Sequence, residues 1–563
     1  MAERPEPDHR LSLLTAASAG VALAAADTYV VVLALTDMMA GVGIGIDALQ
    51  RATPIISGFL LGYIVVLPLI GRLSDLLDRR RILLGCLVAF VIGSALTALA
   101  VELPVLVSGR LLQGIGGGGL VPATLALVAD LWPAERRGTP LGVVGAVQEL
   151  GSVLGPVLGA VILAWSGWRA IFWANVAAGI VLYAVIRALG VTAVRTRPRW
   201  TTVGLSALAV LAAALGVLAL LAPESLVTDV TLGLPFVPVA GESRVLTPIG
   251  LTAVGLAVVL AVVTAPRWWS VLRQADPFGA LLVALALGSL VLTFASSNPE
   301  KEVVGPLGYR LLPLGAAALL VLAWWHGRAA TPLIPRGVVH SRGMRAFLVS
   351  LLVGVALVAV IVDVPLLARL TQGYDATGGA LVLARFLVAV PVGALLGGWS
   401  LRWLGDGAVA GVGLLLAAGG MLVMSTWTLA SIGHAGPTTV VLVVVGLGVG
   451  LALAPVNNAA LADSPDDAHG VASSLVVVAR MVGMVVGLAL LTSIGLNRYY
   501  DAVRLLPDPL DTDALIGAGV VQVQTVFLGG ALAALAGALV AFSLGLRARP
   551  VASELSPRLA ALG

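Results

Sequence analysis

Sixteen stretches of mostly apolar residues run through this 563-residue chain, each about 20 residues long and therefore able to cross a bilayer as an α-helix. The first six lie near 12–36, 53–73, 82–101, 104–130, 140–163 and 170–191. Four follow near 203–222, 247–265, 277–295 and 308–326. The last six lie near 345–368, 377–400, 408–431, 438–462, 470–495 and 520–545. The pattern predicts an all-α integral membrane protein. Only 11% of the residues are charged, against roughly a quarter in soluble domains, so a globular reading fails. Ala, Val, Leu and Gly dominate, which suits helices that approach closely in lipid. An even number of spans puts both termini on one side. Arginines such as Arg79, Arg80, Arg81, Arg136 and Arg137 crowd the loops on that side, so both termini are expected in the cytoplasm.

Six ionisable side chains interrupt these stretches: Asp27, Arg110, Glu149, Asp363, Arg385 and Arg480. A charge at mid-membrane costs about 2.5–3.5 kcal/mol even on the lenient insertion scale. Unpaired, the six would cost about 15–20 kcal/mol, at or above the whole stability of a typical protein. Such residues persist where they face a bundle interior, pair with one another and carry ions or substrate. The pattern points to a transporter and not to an enzyme. Gly116-Gly117-Gly118-Gly119 lies inside a span and lacks the lysine of a phosphate-binding loop, which disfavours an ATP-driven pump. A channel would show a repeated re-entrant filter, and none is visible. A receptor or scaffold would not need Asp27 and Glu149 buried together. The single Cys86 excludes disulfides and cysteine-based metal sites, and the histidines are scattered, so no metal is expected. The basic balance reflects loop arginines, with no nucleic-acid surface. The stretch 12–36 is too long for a cleavable signal peptide and carries Asp27, so it is expected to remain as the first helix.

Several local patterns carry chemistry. Gly71-Arg72-Leu73-Ser74-Asp75 leads through Asp78 to Arg79-Arg80-Arg81 between the second and third spans. Gly71 permits close helix approach, and Asp75 can pair with arginine or accept from a helix N-terminus. A charge cluster that only holds this loop inside explains the same residues. In the fifth span Gly151, Gly155 and Gly159 recur every four residues, giving one small-residue face, and Pro156 bends the helix. The outer loops near 223–246, 296–307 and 496–519 are long and are candidate docking surfaces. Within the first, Thr228 to Leu232 and Phe236 to Val239 alternate around Gly233 and Pro235, predicting a small β-hairpin. The third is expected to extend helices beyond the membrane.

The run from Gly71 to Arg81 resembles the cytoplasmic loop motif of the major facilitator superfamily, G-x-x-x-D-R-x-G-R-[RK], through Gly71, Asp75, Arg79 and Arg80 or Arg81. Leu76 departs from its arginine and Asp78 from its glycine. Gly398 to Arg402, Gly405 and Asp406 form a weaker echo in the last six spans, implying two pseudosymmetric six-helix bundles. Arg110-Leu111-Leu112-Gln113-Gly114 is similar to the R-x-x-x-G element of the superfamily, which implies that Arg110 is a buried cation tuning proton transfer. An arginine capping backbone carbonyls is the open alternative. Gly155-Pro156 resembles the antiporter motif of exporters. Trp168 to Asn175 fits the drug:proton antiporter subgroup with extra central helices. Asp27 to Val32, Gln148 to Pro156 and Val476 to Met481 look like the mycobacterial triacylglyceride exporters. That resemblance does not cover about 200–265, which reads as an added hairpin.

The implied architecture is a major facilitator fold with about four extra central helices. It comprises an N-terminal six-helix bundle at 1–191, an extra transmembrane hairpin at 192–276, a linker helix pair at 277–343, a C-terminal bundle at 344–546 and a cytoplasmic tail at 547–563. The implied activity is proton-coupled export of a hydrophobic cargo from the inner membrane toward the periplasm by alternating access. Triacylglyceride leads as cargo, with an amphiphilic drug as the alternative. The few strongly polar side chains between 408 and 495, Asn457, Asn458 and Arg480 among them, favour an apolar cargo. Asp27, Glu149, Arg480 and Arg110 are the candidate proton-coupling set, with Arg480 expected to partner Asp27. An ion-pair lock without proton transfer explains the same residues. Asp363 and Arg385 stand second, expected near helix ends within reach of water. Gly71, Asp75, Arg79 and Arg80 would form the conformational switch loop. No cofactor is implied beyond the proton gradient. The implied partner is a periplasmic lipid-carrying lipoprotein on the outer loops of a monomeric transporter.

Overall fold

A backbone in lipid must satisfy its own N–H and C=O groups, and a helix does so within one segment. The computed structural model describes residues 7–44, 49–189, 200–229, 232–241, 243–295, 308–373, 376–508 and 511–547. Among them, sixteen helices are long and apolar enough to cross a membrane. The first group is α1 (Pro7–Gly41), α2 (Leu49–Leu76), α3 (Arg79–Leu99), α4 (Leu103–Leu131), α5 (Gly138–Trp165) and α6 (Arg169–Ala188). Next come α7 (Trp200–Leu221), the single turn α8 (Glu224–Val227), α9 (Pro248–Gln274), α10 (Pro277–Ala295) and α11 (Gly308–Arg328). The last group is α12 (Ser341–Gln372), α13 (Ala376–Ser400), α14 (Asp406–Met424), α15 (Ala435–Ala462), α16 (His469–Arg504) and α17 (Thr512–Phe542).

The chain divides into two compact units. The first takes α1 to α3, α4 through Thr124, α5 from Gly151, and α6 to α11. The second takes the end of α4, α5 through Leu150, and α12 to α17.

Lipid tails are as apolar as leucine, so helices in a membrane are held by close packing more than by burial. Small residues make that approach possible in the first unit. A methyl group on Gly114 of α4 would strike the Phe59 carbonyl of α2, and one on Gly116 the backbone of Phe90 in α3. The glycine run in α4 is therefore a contact surface. The stripe of α5 works the same way against α1: Gly151 faces Ala22, Gly155 faces Ala26 and Gly159 faces Val30, in matching four-residue steps.

The hairpin of α7 with α9 sits differently. Only 17% of the α7 span and 11% of the α9 span is buried, against 83% for α4, so these two helices present themselves mainly to lipid. Their connection ties back to the residue just before α4, where the Arg244 N–H donates to Glu102 Oε1 at 2.6 Å. Arg244 Nη1 donates to the Leu220 carbonyl at 2.6 Å and so closes the end of α7. Among the described residues the predicted β-hairpin is not formed. The described part of this connection consists of α8 and two short helical turns, 234–236 and 244–246, and residues 230, 231 and 242 lie outside the described set. Pro235 and Pro238 lack the N–H that a paired strand must donate.

Asp276 joins α9 to α10 in a left-handed conformation, φ 54°, and is buried. Its carboxylate accepts from the Gly279 N–H, the Leu333 N–H and Trp325 Nε1, each at 2.9 Å. One side chain thus caps α10 and fastens α11 and the segment beyond it. In the second unit α16 has 36 residues, about 54 Å at 1.5 Å per residue. That exceeds a hydrocarbon core of about 30 Å, so the helix runs past the membrane as expected.

Candidate transport site

In the first unit, four helices bring polar side chains to one buried point. Asp27 of α1 and Arg110 of α4 are each only 1% exposed. Arg110 Nη1 donates to Asp27 Oδ2 at 2.5 Å. Asp27 Oδ1 accepts from Asn175 Nδ2 of α6 at 2.5 Å and from Gln113 Nε2 at 2.9 Å. Gln113 also donates to Ser94 Oγ of α3 at 2.9 Å, and its Oε1 accepts from Arg110 at 2.6 Å. The Arg110 guanidinium stacks 4.4 Å from the Phe59 ring centroid and 5.7 Å from that of Phe172, which adds cation–π attraction on both sides. Positioning follows from sequence: Gln113 and Gly109 press against Gly93 of α3, where a methyl group would overlap backbone. Arg110 and Gln113 share one face because they are three residues apart.

The second unit carries a looser pair. Arg480 Nη1 of α16 lies 3.7 Å from Glu149 Oε1 of α5, with side chains 9% and 13% exposed. Each is the other's only polar partner among the described residues. The backbone of Arg480 is fixed by Gly354 of α12, where any side chain would strike the Arg480 carbonyl. Ser350 Oγ clamps the same two helices by donating to the Val476 carbonyl at 2.7 Å. The expected pairing of Asp27 with Arg480 is thereby corrected: the cation of Asp27 is Arg110, and the acid of Arg480 is Glu149.

Asp363 and Arg385 also differ from expectation. Asp363 lies nine residues before the last residue of α12, Gln372, is 3% exposed and has no polar partner among the described residues. Arg385 is half-buried and reaches Thr439 Oγ1 at 3.0 Å and the Ala435 carbonyl at 3.4 Å, at the start of α15. Neither is at the end of its own helix.

The loop motif is built as the sequence suggests, with changed roles for its departures. Asp75 pairs with Arg79 at 3.1 Å. Asp78, where the motif has glycine, caps α3 by accepting from the Arg81 N–H at 3.1 Å. Arg80 donates to the Ile186 carbonyl at 2.8 Å and to the Arg187 carbonyl, closing the end of α6. In the second unit the echo is richer than its sequence. Asp406 accepts from Arg342 Nη2 at 2.7 Å and from Asn458 Nδ2 at 2.8 Å, and Arg342 Nη1 also donates to Asp463 at 3.0 Å. Gly398 packs on Gly138, and Arg402 reaches Thr139 Oγ1 at 3.4 Å. Sequence reasoning missed Gln113, Asn175, Arg342 and Asp463 as partners. Their signal was a polar side chain in or beside an apolar span.

The pattern of the Major Facilitator Superfamily matches residues 17–488. The chain belongs to that superfamily. It is 38% identical over 510 residues to the triacylglyceride transporter of Mycobacteroides abscessus, covering 87% of this chain and 84% of that protein. It is 37% identical over 524 residues to a protein of the same name from Mycolicibacterium hassiacum, covering 90% and 84%. Two solved superfamily structures share the fold at 16% identity. The human organic anion transporter MFSD10 gives a TM-score of 0.56 over 95% of this chain and all of that one. The proton:xylose symporter XylE gives 0.55 over 94% and 95%. This superfamily member is a multi-pass membrane transporter and not an enzyme.

Proposed function

We propose that the protein exports a triacylglyceride-type lipid from the inner membrane toward the periplasm by proton-coupled alternating access, with both termini cytoplasmic. The observation that carries this reading is the 36–38% identity to proteins named triacylglyceride transporters over most of the chain. Coupling is assigned to Glu149 and Arg480, with Asp27 and Arg110 as a second set. A proton on Glu149 would neutralise the acid and release Arg480. Loss of the proton would restore the attraction, so the protonation state biases which arrangement of α5 and α16 is favoured. The membrane potential adds about 2.3 kcal/mol per charge per 100 mV to such a step. Gly71, Asp75, Arg79 and Arg80 serve as the switch loop, and the glycine stripe of α5 as the packing seam. The extension of α16 offers a surface for a periplasmic lipid-carrying lipoprotein, with Tyr500 and Leu505 exposed on it.

Multidrug efflux is the second reading, supported by Gly155-Pro156 in α5. The test is transfer of labelled triacylglyceride out of proteoliposomes under an imposed pH gradient, comparing wild type with Glu149→Gln. Transfer that depends on Glu149 supports the proposal. Movement of an amphiphilic dye without lipid replaces it by efflux, and gradient-driven lipid transfer at wild-type rate in Glu149→Gln removes Glu149 from the coupling set.

A further inference from the structure

Three consecutive arginines open α3, and the protein consumes two of them. Arg79 is held by Asp75 and the Ser74 carbonyl, both at 3.1 Å, and Arg80 by the carbonyls that end α6. The Arg81 guanidinium is exposed and has no polar partner among the described residues. It lines a cavity of about 490 Å³ between the α2–α3 turn and the α7–α9 hairpin. Ser206 of α7 and Thr264, Arg267 and Trp268 of α9 line the same space. Arg267 is likewise exposed and without a polar partner among the described residues.

A narrower cavity of about 190 Å³ shares Leu77, Arg81 and Trp268 with the first and is otherwise lined by apolar residues, Ile70, Ala89 and Ile115 among them. Among the described residues, no acidic side chain lines either one. The other end of the hairpin supplies a contrast. There, among the described residues, a cavity of about 560 Å³ between α3, α4, α7 and α9 has only Ser108 and Ser243 as polar side chains. Guanidinium groups without a polar partner among the described residues therefore line the end of the hairpin near the α2–α3 turn, beside an apolar slot.

We infer that this cavity binds an anionic phospholipid of the leaflet that borders the α2–α3 loop. The phosphate pairs with Arg81 and Arg267, the Trp268 indole lies at headgroup level, and an acyl chain enters the apolar slot. Basic pockets between transmembrane helices suit anionic headgroups, and tryptophan gathers at the membrane–water interface. A free phosphate would leave the slot unfilled. A lipid without a phosphate would leave both guanidinium groups unpaired, and a zwitterionic one would bring its own ammonium group beside them. Neither Glu149 nor Asp27 lines the cavity, so the inference stands apart from the cargo.

Native mass spectrometry of the full-length protein, titrated with phosphatidylglycerol or phosphatidylcholine, tests it. Wild type should retain phosphatidylglycerol in preference. Arg81→Ala and Arg267→Ala should each weaken that binding about fivefold, and the double variant about 25-fold. Arg81→Lys with Arg267→Lys should keep most of it. Arg328→Ala, on an arginine stacked over Trp324 outside the cavity, should change nothing. The Arg81→Ala variant keeps the N–H that Asp78 caps, so α3 should still form. Equal affinity of wild type for the two lipids overturns the inference whatever the variants do. So does wild-type binding by the double variant, an equal loss in Arg328→Ala, or displacement of the lipid by inorganic phosphate.

Discussion

Asp27 and Glu149 are both acids in apolar helices, yet their surroundings differ in kind. Asp27 is enclosed by three side-chain donors at 2.5–2.9 Å and is 1% exposed. Glu149 has one cation at 3.7 Å and a side chain that is 13% exposed. A saturated network in a low dielectric fixes one arrangement, because every alternative leaves a buried polar group without a partner. A single long contact resists rearrangement far less. Burial of an acid thus says little about its role until its partners are known. The enclosed acid organises its unit, and the loosely held one is the better placed to change partners.

The largest effect that would sharpen this contrast is expected at Asp27. Asp27→Asn removes the charge that balances Arg110 in a sealed site, and breaking a buried pair from one side costs about 3–5 kcal/mol. The thermal midpoint of the purified protein should fall sharply, and an unchanged midpoint would break the comparison at its stronger end. Next comes Gly155→Leu, whose side chain must enter the space of the Ala26 backbone. Overpacking of this sort costs about 1–3 kcal/mol, read as a smaller drop in the same midpoint. Glu149→Gln should cost less stability than Asp27→Asn, because its one ionic contact among the described residues is long, although the change leaves the buried Arg480 without its acid. Gradient-driven transport in proteoliposomes should nonetheless fall to background. A stability loss as large as that of Asp27→Asn would make Glu149 a structural acid and erase the distinction. The smallest effect is expected for Arg504→Ala. Its contact with Asp501 is 3.7 Å between side chains 80% and 60% exposed, so the midpoint and the transport rate should both stay at wild type.

Much of the fold was legible because a membrane narrows the choice. Sixteen spans, their order and the extension of α16 all followed from length and apolar composition. The glycine stripe of α5 also announced a packing face, though not that α1 would fill it. The connection between α7 and α9 misled, because alternation at 228–239 suggested strands that Pro235 and Pro238 cannot complete. Among the site residues, Asp27, Arg110, Glu149 and Arg480 stood out as charges in apolar surroundings. Gln113 and Asn175 did not, since an amide in a membrane helix is ordinary until its neighbours are seen. Asp406 looked like a weak echo of a motif, and its partner Arg342 is 64 residues away.

The sequence by itself determined how many times the chain can cross a bilayer and which of its charges must be shielded. Hydropathy and insertion cost act on each segment alone, so both can be read one span at a time. Only the tertiary structure decided which acid meets which arginine. Pairing depends on which helices touch and at what height, and contacts such as Gly354 on Arg480 and Gly93 on Gln113 set that over distances no local pattern records.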